Sequence, residues 1–409
     1  MRSTATIVAA LVLASLIGAG ATAQDLARTL AKPAASIRVA VFNVALARNA
    51  EGALIDAFRA DEPRTRAQVA ALAEIIQRVR PDILLIQELD YDPAGEALSL
   101  FEAALAQPRG GAEPIAFADR FQAPVNAGLR TGFDLDGDGA TNGPADAQGW
   151  GVFAGQFGMA ILSRFPIDRD QARTFRTLLW SAVPGAEPPR TPEGAPYYPP
   201  EIWRTLRLSS KSHWDAPIRL PDGRRLHILA SHPTPPVFDG PEDRNGLRNA
   251  AEITFWTDYV SGADWPRDDR GRAGGLAADA SFVLLGDLNA DPEDGDGRRE
   301  TIRTLLDHPR ITATAPESAG GAEAAAQGGV NARHRGSPAR DTADWKDEGG
   351  GAPGNLRVDY VLPSSDLIVL GSGVFWPAEA DPLRRLVGEG FPVVSSDHRL
   401  VWVDIAAEE

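Results

Sequence analysis

Phe282-Val283-Leu284-Leu285-Gly286-Asp287-Leu288-Asn289 carries the reading of this chain. Four consecutive apolar residues are short for a helix and fit a strand buried on both faces. The run closes on Gly286, Asp287 and Asn289, so an acid and an amide stand at a buried strand end. Two other stretches repeat the pattern. Gln87-Glu88 follows Ile83-Leu84-Leu85-Ile86, and Ser396-Asp397-His398 opens the closing strand Arg399–Asp404. Open α/β proteins build their sites at strand ends. A carboxylate there is costly unless it meets a metal or a proton partner.

Outward from these stretches the chain alternates strands and helices. Ile37–Asn43 is predicted as the first buried strand. Thr65-Arg66-Ala67-Gln68 has the form of a capping box, followed by Val69, Leu72, Ile76 and Val79 at helical spacing. Pro81 ends that helix. Ala94–Ala106 is expected to be helical, and Gly158–Ser163, Arg207–Leu220 and Arg225–Ser231 to be strands or hairpins. Leu247, Ala250, Ile253, Trp256 and Val260 mark another helix. A helix near Glu300–Leu306 and strands at Arg357–Leu362 and Leu367–Phe375 complete the set. Stretches rich in Gly, Pro and Asp, about 107–156, 183–201, 262–279 and 315–355, read as loops. The site motifs span residues 24–409, which are read as one domain with long loop insertions.

The N-terminus reads as a leader. Arg2 precedes an apolar run from Ile7 to Ile17, and Ala21-Thr22-Ala23 places small residues before a cleavage point at Gln24. Residues 1–23 are therefore expected to be a signal peptide, and the mature chain to be secreted or periplasmic. No later stretch is apolar enough to span a bilayer. The absence of cysteine means that an exported form is held by its core, with no disulfides. A net charge of −15 disfavours broad binding to nucleic acid or anionic membrane. It leaves a nuclease open, because divalent ions invert the local field.

Six landmarks recur in order: Phe42-Asn43, Gln87-Glu88, Ser231-His232, Asp287 with Asn289, Asp359-Tyr360 and Asp397-His398. In order and residue type they resemble the endonuclease/exonuclease/phosphatase superfamily, which includes deoxyribonuclease I-like nucleases, abasic-site endonucleases, inositol-polyphosphate phosphatases and secreted sphingomyelinases. The resemblance covers roughly Ile37 to Asp404. It implies a four-layer α/β sandwich, with two mainly antiparallel sheets packed face to face and flanked by helices. It further implies Glu88 as the central ligand of Mg²⁺ or Mn²⁺, with Asn43 and Asp397 completing the metal site. Asp287 would orient or deprotonate the attacking water, and Asn289 would hold the phosphate or the metal. His398, paired with Asp359, would stabilise the transition state or take a proton, and His232 would contact the phosphate or protonate the leaving oxygen. Two departures concern the substrate side. Ala230-Ser231-His232-Pro233 stands where the family commonly has Asn-Thr-His-Leu, and Leu400 stands where Pro is frequent after the last histidine.

Three further features are candidates on the residues alone. Lys211, His213 and Asp215 alternate in the segment before the His232 strand, and such alternation places residues on one face. Lys211 and His213 are candidate substrate contacts, as is Arg248, which with Asn245 could also fix the His232 loop. Trp180, Tyr197, Tyr198, Trp203 and Trp214 are expected to offer apolar and stacking surface nearby. Asp134, Asp136 and Asp138 match the first half of a calcium loop, although Ala145 replaces the closing Glu. Structural Ca²⁺ is expected there, and Asp294-Gly295-Asp296-Gly297 is a weaker echo.

The expected function is an exported, monomeric, divalent-metal-dependent phosphoester hydrolase, a phosphodiesterase or phosphatase. A small or lipid-linked substrate is favoured over nucleic acid. The alternatives are a secreted nuclease and a non-catalytic calcium-dependent binding protein on the same scaffold.

Overall fold

The computed structural model describes residues 26–388 and 392–407. The leader expected over residues 1–23 lies outside the described residues. Two mixed sheets form the centre. The first contains six strands: β1 (Ser36–Asn43), β2 (Ile83–Gln87), β3 (Asp119–Phe121), β4 (Met159–Ser163), β12 (Val369–Val374) and β13 (Val401–Ala406). Their order is β12-β13-β1-β2-β4-β3, and only β1 and β2 run parallel. The second contains β5 (Arg173–Thr174), β6 (His213–Arg219), β7 (Arg225–Ser231), β8 (Ser281–Asp287) and β11 (Asp359–Pro363). Its order is β11-β8-β7-β6-β5, and only β7 and β8 run parallel. A short hairpin, β9 (Ala343–Asp344) with β10 (Asn355–Leu356), stands apart.

Period-two alternation explains the layers. Val283 and Leu285 of β8 join Ala216, Ile218, Ile228, Ala230 and Val361 in one core with β1, β2 and β13. The intervening Phe282 and Leu284, with Leu229 and Leu362, pack instead against a helix. That helix, α4 (Arg244–Val260), contributes Ile253, Phe255, Trp256, Tyr259 and Val260. The other helices used below are α1 (Ala53–Arg59), α2 (Pro63–Val79) and α3 (Glu96–Leu105). Leu72, Ile76 and Val79 of α2 and Leu98 and Phe101 of α3 cover the outer face of the first sheet. The α/β sandwich implied by the resemblance is therefore present, with one parallel pair in each otherwise antiparallel sheet. Among the described residues, no helix is long and apolar enough to cross a membrane.

Two local expectations are corrected. Helix α2 starts before the Thr65 box, because Glu62 caps it: the Glu62 carboxylate accepts the N–H groups of Arg64 and Thr65, with Pro63 at the first turn. The Arg207–Leu220 segment is strand only from His213 to Arg219. Its first half is loop, and that change reassigns several side chains below.

A buried ion pair ties the closing strand to the first. Arg38, fully buried, donates from Nε and Nη2 to both oxygens of Asp404 at 2.7 Å. Its Nη1 reaches the carbonyls of Leu30 and Val79. Asp404→Ala leaves this guanidinium without its anion in the core. We expect a loss of about 3–5 kcal/mol, the range for one-sided removal of a buried pair. Denaturant unfolding of the variant against wild type measures it.

Candidate active site

Register brings the landmark residues together. In the parallel pair β1–β2, Asn43 stands beside Gln87. In the antiparallel pair β11–β8, Asp359 stands opposite Asp287. Gly286 precedes Asp287 where β8 passes β7: a Cβ there would lie 2.0 Å from the Ser231 carbonyl oxygen, so only glycine fits. Gln87 then joins the two sheets. Its Oε1 accepts the Asp287 N–H at 2.8 Å, and its Nε2 donates to Ser231 O at 3.0 Å.

Asp287 is the hub. Asn43 Nδ2 donates to Asp287 Oδ2 at 3.2 Å and to Glu88 Oε1 at 3.0 Å. His232 Nε2 lies 3.2 Å from Asp287 Oδ2 and 3.9 Å from Glu88 Oε1. His398 Nε2 lies 3.7 Å from the same Asp287 oxygen, and its Nδ1 lies 2.9 Å from Asp359 Oδ2. Asn289 donates its backbone N–H to Asp287 Oδ1 and its Nδ2 to Pro233 O. Glu88 and Asn289 both adopt left-handed φ, +60° and +51°. Such backbone is uncommon for a non-glycine residue and occurs often at functional sites. Ser396 anchors the last motif: its Oγ donates to Asn43 O at 2.7 Å and accepts the His398 N–H at 3.0 Å.

The charges divide sharply. Burial opposes ionisation of Asp287, but the His398 and His232 imidazoles override it and hold its carboxyl far below the usual range. His398 goes the other way. Despite burial, Asp359 and Asp287 raise its pKa well above the ordinary value. Burial pushes Asp359 up, against the pull of His398. Burial, with the Lys211 charge, pushes His232 down to about 4. His398 is thus the protonated ring and His232 the neutral one near pH 7. Asp287, Asp359 and His398 place three potential ligand atoms within 4.8 Å of one another. With His398 Nδ1 2.9 Å from Asp359 and its Nε2 3.7 Å from Asp287, the same three groups can also share a proton.

Glu88 and Asp397, the ligands the resemblance implies, are two acidic groups that interact. Burial and the Asp397 charge both raise the Glu88 pKa, so these two carboxylates repel where nothing neutralises them. The Glu88 side chain is 24% exposed, which puts it at the mouth of the site. Asp397 receives a hydrogen bond at 3.1 Å from Trp345 Nε1, and the Trp345 ring meets His398 edge-on.

Lys211 belongs to this site. It is 7% exposed, lies in the field of Glu88 and Asp287, and has no direct carboxylate partner among the described residues. Burial lowers its pKa, against the charges of Glu252, Glu88 and Asp287.

The other substrate-contact expectations are corrected. His213 lies on the helix-facing side of β6, fully buried. Its Nδ1 meets Ser209 Oγ at 2.6 Å, its Nε2 meets Glu252 O at 3.0 Å, and its ring packs on Phe255 and Trp256. Asp215 shares that face, bonded to His227 and Tyr259. Alternation fails for Lys211 because the strand begins only at His213. Arg248 is also structural: its guanidinium binds the carbonyls of Leu208, Gln148 and Arg207. Asn245 does hold the loop after His232, donating to Val237 O. The expected stacking surface is mostly core, with Trp180, Tyr198 and Trp214 buried and only Tyr197 and Trp203 half-buried. Among the described residues the exposed aromatics are Trp150 (57%) and Phe238 (88%), and Phe238 lies six residues after His232.

The Asp134, Asp136 and Asp138 carboxylates do converge. Their oxygens also accept the N–H groups of Gly137, Gly139, Asp138 and Ala140, bonds that shape the turn. Asp294 likewise accepts from Arg335 and Gly336.

The endonuclease/exonuclease/phosphatase family profile matches residues 40–398, and the chain belongs to this family. Its members are generally metal-dependent phosphoesterases or nucleases. Solved structures that resemble the chain include an endonuclease/exonuclease/phosphatase from Beutenbergia cavernae, at 15% identity, covering 91% of this chain and 71% of that one, with a TM-score of 0.49. A family protein from Leptotrichia buccalis follows at 14% identity, 90% and 99% coverage and a TM-score of 0.46. The human Nocturnin catalytic domain with bound sulfate is similar at 14% identity, 92% and 96% coverage and 0.45. No curated protein matches the chain in sequence.

Burial pushes the His213 pKa down to about 3 from an ordinary 6.5. Between those values the unfolded imidazole holds a proton that the native one lacks, so stability falls as pH falls through the window. We expect Tm to drop less steeply between pH 7 and pH 5 in His213→Gln than in wild type, as read by thermal melts.

Proposed function

We propose that this chain is an exported, divalent-metal-dependent phosphoester hydrolase that prefers small or lipid-linked phosphoesters to nucleic acid. The observation that carries the reading is the convergence of Asn43, Glu88, His232, Asp287, Asp359 and His398 on one point at the ends of both sheets, with Lys211 buried beside them and unpaired. Asn43, Glu88 and Asp397 would hold Mg²⁺ or Mn²⁺. Mutually repelling carboxylates and an amide oxygen are the hard donors such ions take. When bound, the ion supplies neutralisation of charge on the phosphoryl oxygens.

The protein's own groups account for the remainder. Asp287 stays ionised and accepts a hydrogen bond from the attacking water. His398, held protonated by Asp359, offers positive charge to the phosphoryl group. His232 stays neutral and holds the same Asp287 oxygen. Asn289 Nδ2 is engaged with Pro233 O, which leaves its Oδ1 for the ion. The Lys211 ammonium takes a phosphoryl oxygen as the partner it otherwise lacks, which suits a desolvated cation.

Substrate size follows from charge. The chain carries a net −15, and apart from Lys211 the basic residues named near the site are already occupied. Arg244 pairs with Glu242, and Arg248 binds carbonyls. A polyanion would find few phosphate contacts. Exposed Phe238 and Trp150 offer apolar contact suited to a lipid-linked substrate. Export rests on the sequence of residues 1–23.

Chelation is expected to abolish hydrolysis of an activated phosphodiester. Asp287→Ala or His398→Ala should each lower kcat by about 10²-fold or more, the scale of a lost acid/base group. Wild-type rates in both variants would refute the mechanism.

Lys211→Ala should act mainly on KM. The accompanying comparison sets kcat/KM for small and lipid-linked phosphoesters against duplex DNA at near-physiological salt. A clear preference for DNA would move the assignment to a nuclease.

A further inference from the structure

We infer that helix α4 positions the catalytic loops through one polar stripe, Asn249, Glu252 and Trp256, and that Glu252 is its decisive member. The inference rests on the phosphoester-hydrolase reading, and it concerns residues that contact no substrate. Glu252 is fully buried. One carboxylate oxygen accepts the Ser210 N–H at 2.7 Å and lies 3.2 Å from Ser210 Oγ. The other accepts the Thr234 N–H at 2.6 Å. Ser210 precedes Lys211, and Thr234 follows His232-Pro233. A single carboxylate therefore fixes the spacing between the loop that carries the unpaired ammonium and the loop that carries the neutral imidazole.

Its neighbours at helical spacing extend the bracket. Asn249 donates to Thr234 O and to Leu288 O, each at 2.9 Å, which joins the His232 loop to the Asp287–Asn289 turn. Trp256 Nε1 donates to Ser231 Oγ at 2.7 Å, just before His232. Three site segments thus hang from one helix face. Gly149 closes the arrangement, since a Cβ there would lie 2.0 Å from Ser210 O and push the Lys211 loop away.

The carboxylate does what an amide cannot. Glu252 accepts at both oxygens from backbone N–H groups that have no other partner among the described residues. In Glu252→Gln one of those oxygens becomes an NH₂ facing a backbone N–H, donor against donor, and one loop must leave. Glu252 is also the foremost charge opposing desolvation of Lys211. The substitution therefore shifts one loop and weakens the ammonium at the same time.

The test is Glu252→Gln, read by kinetics on an activated phosphodiester with Mg²⁺, by hydrogen exchange and by thermal melts. We expect kcat/KM to fall by about 10²-fold, the cost of a misplacement of about 1 Å, with KM raised and kcat lowered together. Amide exchange should accelerate in the segments around Ser210 and Thr234 and stay unchanged in β1, β2 and β13. On a Lys211→Ala background the same change should raise KM much less, because the two residues act on one contact. Unchanged kcat and KM below the melting temperature, with both loops still protected, would overturn the inference even if Tm falls. A wild-type protein that hydrolyses no phosphoester would refute the functional reading instead, and the exchange data would still decide whether Glu252 holds the two loops.

Discussion

The side-chain amide of Gln87 is the constraint on which the site depends. It ends β2 in the first sheet and binds the ends of β7 and β8 in the second, through Ser231 O and the Asp287 N–H. Two sheets packed by apolar side chains can slide by small amounts, because such contacts are non-directional. A buried amide with one donor and one acceptor engaged cannot slide without leaving polar groups unpaired. The bridge therefore locks Glu88, the residue after Gln87, against Asp287 and against His232, the residue after Ser231.

Around that lock the electrostatics are those of one buried anion between two imidazoles. Asp287 Oδ2 meets both His232 and His398, yet the rings differ in charge. The difference arises outside the pair. His398 has a second carboxylate, Asp359, at 2.9 Å, whereas His232 feels the Lys211 charge and its Nδ1 has no partner among the described residues. Environments that push equivalent groups apart assign their roles. The same logic separates the carboxylates. Asp287 is satisfied by its imidazoles, while Glu88 and Asp397 oppose one another.

Support for this arrangement comes from elements that touch no reacting atom. Ser396 ties the last motif to the end of β1, Trp345 reaches Asp397 from the β9–β10 hairpin, and the α4 stripe holds three loops. A site made of strand-end loops is precise only when its neighbours fix those loops.

The sequence by itself determined the strands and their terminal polar residues. Runs such as Phe282–Leu285 and Ile83–Ile86 have no other reading at their length, and the polar groups that end them fall where the fold places its site. The family pattern then collected Asn43, Glu88, His232, Asp287, Asp359, Asp397 and His398 into one reading. Tertiary structure alone decided what lay between strands. His213 and Lys211 share a parity, yet one is core and one faces the site, since period two holds only within a strand and β6 begins at His213. Arg248 and the Trp180 cluster read as surface because polarity and aromaticity do not reveal which carbonyls or helices will cover them. Glu252 and Trp345 gave no local signal at all. Their partners lie 18 to 52 residues away in sequence, and a hydrogen bond across that distance is set by the packing of whole elements.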